Sequence, residues 1–288
     1  MSANWDDLAE ITITKELKKQ SNNLLLIDGV NIAFRYLHRN NYNNFTDDYI
    51  RTVTSLGNSY QAKRIICCFD AGASLYRKTM FPEYKANRKV ERTEEEQERF
   101  TKFFDCLTHT IEELPFEHYK FKGIEADDII AYFSLNMAKQ YEHTWIVSSD
   151  RDLYQLLNEK VSIFNLFSRK EVDVDSLMEK YGLTPKEYAF SRIIEGDKGD
   201  NILGIEGIGP KRSAALVKEY KTLDNLLSSL PLKGRAKYIT NLNNGARLLE
   251  RNEKLINLID YNEDVISCVE KEQLVTSMLE KALQLENS

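Results

Sequence analysis

The sequence has little of the residues that build thiolate, disulfide or triad chemistry. Of 288 residues, 4 are cysteine and 4 are histidine. Cys67 and Cys68 are adjacent inside an apolar run, Cys106 and Cys268 stand alone, and no C-x-x-C pair exists. His38, His109, His118 and His143 show neither H-x-x-x-H nor mixed Cys/His ligand spacing. Zinc chemistry and a Ser-His-Asp hydrolase are therefore poor readings, and a reducing cytoplasm is the expected compartment. The 12 glycines and 5 prolines are too few for a collagenous or low-complexity chain. No apolar run is long enough to span a bilayer, so no membrane partner is expected. The acidic start lacks the basic-then-apolar order of a secretory signal. There is no G-x-x-x-x-G-K-[ST] either, which argues against an NTP-driven machine.

What the chain does have is acid, in particular places. Its 39 Lys+Arg against 45 Asp+Glu give a net charge of −6, which taken globally argues against a polyanion-binding surface. Short apolar runs at Leu24–Ile27, Arg64–Phe69, Thr144–Val147 and Val161–Phe164 read as buried strands. Between them lie helices. Thr93-Glu94-Glu95-Glu96 is a capping box ahead of Phe100, Phe103, Phe104, Leu107 and Ile111, and Pro115 ends that helix. A second helix spans Glu125 to about Gln140. Strands alternating with helices predict an α/β domain with a mostly parallel sheet over residues 21–183. Thr184-Pro185-Lys186-Glu187 is a further capping box, with proline at the first helical position. It opens a smaller all-helical domain over 184–288, and residues 1–20 read as a charged N-terminal helix or arm.

Three predicted strands end in aspartate: Asp28, Asp70 and Asp150, with Asp152 two residues on. In open parallel sheets the binding crevice lies beyond the carboxyl ends of the strands. Any one of these acids could simply make a turn or cap a helix; three together weaken that reading. Glu125-Ala126-Asp127-Asp128 adds three acids at a helix start, with Glu125 and Asp128 one turn apart. Gly196-Asp197-Lys198-Gly199-Asp200-Asn201 adds two on a glycine-containing loop. Nine converging carboxylates would raise one another's pKa unless a cation compensates them. Oxygen-only ligation selects Mg²⁺ or Mn²⁺, and the excess of acids over the needs of one ion suggests two. Setting those nine aside turns the net charge from −6 to +3, leaving a surface that can hold a phosphate backbone.

The basic side has two parts. Lys85 and Arg88 are three residues apart, so on a helix they could reach one phosphate, with Tyr84 placed to stack on a base. Gly204-Ile205-Glu206-Gly207-Ile208-Gly209-Pro210-Lys211-Arg212 sets Gly207 and Gly209 ahead of a helix opening at Pro210. Its free N–H groups can hold a phosphate, with Lys211 and Arg212 adding charge. A tight interhelical turn is the plainer explanation. A dinucleotide fingerprint would need a preceding strand, and none is visible.

Taken in order, Ile27-Asp28-Gly29 with Asn31, Phe69-Asp70, Tyr84-Lys85-Ala86-Asn87-Arg88, Glu125-Ala126-Asp127-Asp128, Ser149-Asp150-Arg151-Asp152, Gly196-Asp197 through Asp200-Asn201, and Gly204 through Lys211 resemble the 5′-nuclease superfamily. That superfamily includes flap endonucleases and the N-terminal nuclease domain of bacterial DNA polymerase I; the strongest likeness is to stand-alone 5′-3′ exonucleases of bacteriophages. The resemblance implies a PIN-like α/β domain, a helical arch near 76–112 and a helix–three-turn–helix DNA-binding domain. It implies two-metal hydrolysis of DNA phosphodiesters, with Asp28, Asp70, Glu125 and Asp127 in a first metal group. Asp150, Asp152, Asp197 and Asp200 match the second, with Asp128 adjacent. Lys85 and Arg88, with Asp150 and Asp152, are the catalytic candidates. Arg35 joins Tyr84, Lys85, Arg88, Gly207, Gly209, Lys211 and Arg212 as DNA-binding candidates. A K⁺ site on the carbonyls of the 204–209 turn is a further implication.

The expected partner is DNA with a 5′-flap, a 5′-overhang, a nick or a gap, and RNA-primed DNA as an extension, acted on by a monomer. Two departures from the family pattern stand out. The chain ends at Ser288, leaving no room for a polymerase domain, and its tail lacks the glutamine-plus-paired-aromatic peptide that recruits sliding clamps. Two rivals remain: a PIN-type ribonuclease, which leaves the Gly204–Arg212 turn without a purpose, and an inactive DNA-binding protein, which should have lost some acids.

Overall fold

Strand β1 (Asn23–Asp28) is the first apolar run, and its side chains alternate between two cores. Leu24 and Leu26 face one, Leu25 and Ile27 the other, and all four are fully buried. The same alternation in β2 (Ala62–Phe69) sends Ile66 and Cys68 one way, Cys67 and Phe69 the other. Burial on both faces is why these strands read as unbroken apolar runs.

The structure, a computed structural model, describes residues 21–38, 42–88, 92–269 and 275–284. The predicted arm over 1–20 and the tail over 285–288 lie outside the described residues, as does 89–91 between Arg88 and the Thr93 capping box. After β1 come α1 (Gly29–Ala33) and α2 (Phe45–Ser59). Beyond β2 follow α3 (Leu75–Met80), α4 (Glu94–Glu112), β3 (Glu117–Lys120) and α5 (Ala126–Met137). Then come β4 (His143–Val147), β5 (Val161–Asn165), β6 (Lys170–Val172) and α6 (Val174–Tyr181). From residue 185 the chain is mainly helical: α7 (Pro185–Glu195), the two-residue strands β7 (Gly196–Asp197) and β8 (Ile202–Leu203), α8 (Pro210–Tyr220) and α9 (Leu223–Ser228). The last described helices are α10 (Lys237–Asn243), α11 (Ala246–Ile256), α12 (Asn262–Ser267) and α13 (Val275–Gln284).

The six-stranded sheet runs β3-β2-β1-β4-β5-β6, parallel except for β6. The predicted strands are all present; β3 and β6 are additional. Chain order moves outward from β1 to β2 and β3, then returns to β4 on β1's other side. The reversal between β1 and β4 is a topological switch point, where such sheets open a crevice beyond their strand ends. Helices α1, α2 and α4 cover one face with Ile32, Tyr49, Phe103 and Leu107, while α5 covers the other with Ile129, Ile130 and Phe133. That second core continues into the helical part through Ile193, Val217, Leu249 and Leu255.

Both capping boxes read in the sequence form, at Thr93–Glu96 and Thr184–Glu187. Two local readings change. Asp28-Gly29 is not a turn: Asp28 caps α1, and Gly29 passes so close to Phe69 that an added Cβ would sit 2.2 Å from its ring. Lys85 and Arg88 do not share a helical face. Lys85 precedes the 3-10 turn Ala86–Arg88 in the left-handed region, at φ 56°.

Candidate active site

The carboxyl ends of β1, β2 and β4 lie side by side and bring three acids to one edge. Asp28 ends β1, accepting from Asn31 N–H (3.1 Å) and from the Ser148 hydroxyl (2.7 Å). Ser148 Oγ in turn accepts from Asp150 N–H at 3.0 Å, so one hydroxyl links the ends of β1 and β4. Asn31 reinforces this link, donating to Ser149 Oγ (2.7 Å) and accepting from Ser149 N–H (3.1 Å). Asp70 follows β2 and accepts from Ala126 N–H at 2.8 Å, which ties it to the start of α5 and so to Asp127.

Burial and mutual repulsion act together on this group. Asp28 is pushed up to about 7, first by loss of water and then by the charges of Asp70 and Asp150. Asp127 is raised well above the usual carboxylate range by burial, then by Asp150, Asp28 and Asp70. Asp70 is raised by burial and by Glu125. Asp152 is raised to about 7, chiefly by burial and Asp150, against the opposing pull of Arg192. Asp200 is raised by burial, against Lys85 and Arg88. All nine predicted acids thus act on one another's charge, Asp128 only through Asp70, with Asp150 beside both halves.

Cations are interleaved with the acids. Lys85 Nζ is 2.5 Å from Glu125 Oε1 and 3.7 Å from Asp200 Oδ2. Arg88 pairs with Asp200 Oδ1. Arg192 reaches Asp152 at 3.3 Å and Asp197 at 3.0 Å. Burial would raise Glu125, yet Lys85 and Arg77 hold it below the usual range. Among the described residues, no group of three or more His, Cys, Asp or Glu side chains stands close enough to hold a metal ion as it is.

Comparison with known proteins decides the family. A model of the 5′-3′ exonuclease N-terminal resolvase-like domain matches residues 23–182, and one of the 5′-3′ exonuclease C-terminal SAM fold matches 183–280. The chain belongs to the 5′-3′ exonuclease family. It is 37% identical over 264 residues to the flap endonuclease of Escherichia phage T5, covering 90% of each chain. It is 31% identical over 254 residues to a 5′-3′ exonuclease of Bacillus subtilis, covering 83% of each. The phage T5 flap endonuclease, crystallised as a pseudo-enzyme-product complex with DNA and metal ions, superposes with a TM-score of 0.87 at 36% identity, over 91% of this chain and 98% of that one. A T5 5′-exonuclease structure with bound divalent zinc gives a TM-score of 0.86 at 36% identity over the same shares.

Within this family member two residues depart from the roles read in the sequence. Asp128 is fully buried and committed to Arg77: its oxygens accept from that guanidinium at 2.8 and 2.7 Å, and Oδ2 also from Glu125 N–H at 3.3 Å. It is a structural partner beside the site, not a spare ligand. Tyr84 is 2% exposed and cannot stack on a base; its hydroxyl donates to Glu125 (2.8 Å) and lies 3.0 Å from Asp200.

Of the DNA-binding candidates, Arg35, Gly207, Gly209, Lys211 and Arg212 lie on the outside. Arg35 is exposed on the 3-10 turn that follows α1. Lys211 and Arg212 are exposed in the first turn of α8, which Gly209 caps without any side chain. Gly207, at φ 84°, makes the turn before it, and Arg212 donates to Gly207 O at 2.6 Å while lying over the Tyr238 ring. Gly204 has a packing reason: a Cβ there would fall 2.0 Å from Glu195 O.

Sequence reasoning missed Arg77, Arg192 and Ser148. Arg77 is 3% exposed and also donates to Leu255 O at 2.8 Å, joining the acidic helix start to α11. Each has a partner distant in the chain, Asp28 for Ser148, Asp152 for Arg192, and Glu125 and Asp128 for Arg77, which no local pattern marks.

Proposed function

We propose that the protein is a structure-selective 5′-3′ exonuclease and flap endonuclease, hydrolysing DNA phosphodiesters to leave 5′-phosphate and 3′-hydroxyl ends. The observation that carries this is the run of interacting carboxylates at the switch point, faced by the Lys85 ammonium. In kind, these acids fit hard divalent cations: all donors are oxygen, and burial with mutual repulsion leaves their negative charge under-compensated. Asp28, Asp70, Glu125 and Asp127 would hold one ion, and Asp150, Asp152, Asp197 and Asp200 a second, Mg²⁺ or Mn²⁺. Such ions, when bound, supply a water of lowered pKa and neutralise charge on the attacking and leaving oxygens.

The remaining work falls to side chains of this chain. Lys85 and Arg88 stand at the mouth of the carboxylate group and hold the scissile phosphate, offsetting the negative charge that grows on it. Ser148 and Asn31 fix the spacing between Asp28 and Asp150. Arg35 holds backbone on one side of the crevice. At the start of α8, the Lys211 and Arg212 side chains hold the duplex strand without reading its sequence. That phosphate role suits the 204–209 turn better than K⁺ ligation does. Its carbonyls at Ile205, Glu206, Gly207 and Gly209 already accept hydrogen bonds. The substrates are 5′-flapped, overhanging, nicked or gapped duplexes, with RNA-primed ends as an extension, and the acting form is a monomer. Because the α8 turn suits duplex backbone, DNA is favoured over single-stranded RNA.

The deciding experiment maps the products of a labelled 5′-flap duplex with and without Mg²⁺, beside single-stranded RNA of matched length. Chelator-sensitive cleavage at the flap junction is expected. RNA cut in preference to the flap, or cleavage indifferent to chelator, would overturn the reading.

A further inference from the structure

The turn that carries Lys85 and the loop that carries Asp200 are bound to each other by a reciprocal clasp. Asn87 Nδ2 donates to Lys198 O at 2.7 Å, and Asn201 Nδ2 donates back to Glu83 O at 2.8 Å. Between them Lys85 N–H donates to Asp200 O at 2.9 Å, and Arg88 Nε to Gly199 O at 3.2 Å. Both segments have a residue in the left-handed region, Lys85 at φ 56° and Asn201 at φ 62°. For lysine that conformation costs energy and persists only where the surroundings fix it. Asparagine tolerates it, and here its side chain also closes the clasp.

We infer that Asn87 and Asn201 are positioning residues for Lys85: by joining the 83–88 turn to the 198–201 loop, they hold the lysine in its left-handed conformation, with its ammonium over the carboxylates. The inference rests on the role proposed above for Lys85. Neither asparagine touches the acids through its side chain in any hydrogen bond of the structure; each acts through the other segment's backbone carbonyl. The same bonds keep Lys85 beside Asp200, far from it in sequence. Any movement of the 198–201 loop carries the 83–88 turn with it.

The test uses the full chain, a 5′-flap DNA duplex and Mg²⁺, with single-turnover rate, Kd and melting temperature read for each variant. Asn87→Ala removes one donor; Asn201→Gly removes the other while keeping the left-handed backbone accessible. Each should slow cleavage about tenfold, with Kd within about twofold and melting unchanged, as expected of a group displaced by a fraction of an ångström. In a Lys85→Ala background the same changes should cost almost nothing further, because the group they position is gone. Either variant cleaving at the parental rate overturns the inference for that residue. Losses that multiply fully with Lys85→Ala overturn it for both. Lys85→Ala cleaving at the parental rate instead removes the proposed lysine role, and the clasp's function with it, a result separable from the other two.

Discussion

Lys85 and Glu125, 40 residues apart, meet with Nζ 2.5 Å from Oε1, and the same ammonium lies 3.7 Å from Asp200. The lysine therefore spans both groups of carboxylates, and the position that neutralises them is also the one from which it can neutralise a phosphate. Lys85→Ala should reduce single-turnover cleavage of a 5′-flap by about 10²–10³, the range for loss of one electrostatic stabiliser. Duplex affinity should change little, because the duplex contact proposed for the start of α8 is left intact. A Lys85→Ala protein as fast as its parent refutes this role.

Asp150 and Asp200 test the carboxylates directly. Asp150 stands beside both halves of the acidic chain, its charge helping to raise Asp28, Asp127 and Asp152. Asp150→Asn or Asp200→Asn should abolish product formation while DNA still binds, measured by fluorescence anisotropy on the flap duplex. Cleavage above about a hundredth of the parental rate would show that neither acid is essential.

The raised acids predict an unusual dependence of stability on pH. Asp28 and Asp152 move from the ordinary 3.8 to about 7 on folding, so between those values the unfolded chain is ionised while the folded one keeps its protons. Unfolding then releases protons, and metal-free stability from these groups falls as pH rises from about 4 to about 7. Asp70, Asp127 and Asp200 act in the same direction. Glu125 acts oppositely, but only as pH falls below its ordinary 4.5. Divalent ions bind the ionised forms, so the melting-temperature gain from Mg²⁺ should grow between pH 5 and pH 8. A gain independent of pH would contradict the assignment.

Arg77 tests the scaffold beneath the site. Its guanidinium pairs with Asp128 and Glu125 and also donates to Leu255 O, all within the protein interior. Arg77→Met leaves Asp128 buried without its cation and should cost about 3–5 kcal/mol by urea unfolding, typical of a broken buried pair. Arg77→Met with Asp128→Leu should recover much of that loss, because both charges are then removed. A single variant within about 1 kcal/mol of the parent would place this pair with ordinary surface ion pairs.

Why some of this could be read from sequence and some could not has a physical basis. Leu24–Ile27 and Arg64–Phe69 are legible because both sheet faces are covered, leaving no polar interruption. Strand β3, Glu-His-Tyr-Lys at the sheet edge, carries no such run and passes for loop. The acids are legible because chain topology alone brings strand ends together. Their partners are not: Arg77 meets Glu125 and Asp128 from 48 and 51 residues away, and nothing local marks it. Asp128 shows the limit of helical spacing, which places it one turn from Glu125 without saying which neighbour it will face. Tyr84 shows the same for aromatics, since a tyrosine next to Lys85 and Arg88 reads as a stacking group until its hydroxyl is found between two carboxylates.

Lys211 and Arg212 give the prediction that separates binding from chemistry. Both are exposed in the first turn of α8, which has no side-chain cap. Arg212 is braced there by Gly207 O and the Tyr238 ring, which fixes its guanidinium outside the turn. Neutralising either residue should weaken duplex binding about equally for all sequences and lower the slope of log Kd against log salt by about one, one phosphate contact being lost. The single-turnover rate at saturating enzyme should stay near the parental value, because no acid or cation at the strand ends is disturbed. Titrations of a flap duplex at several salt concentrations check both halves of this expectation. An unchanged salt slope, or a rate that falls as far as affinity, would move these two residues out of a purely backbone-holding role.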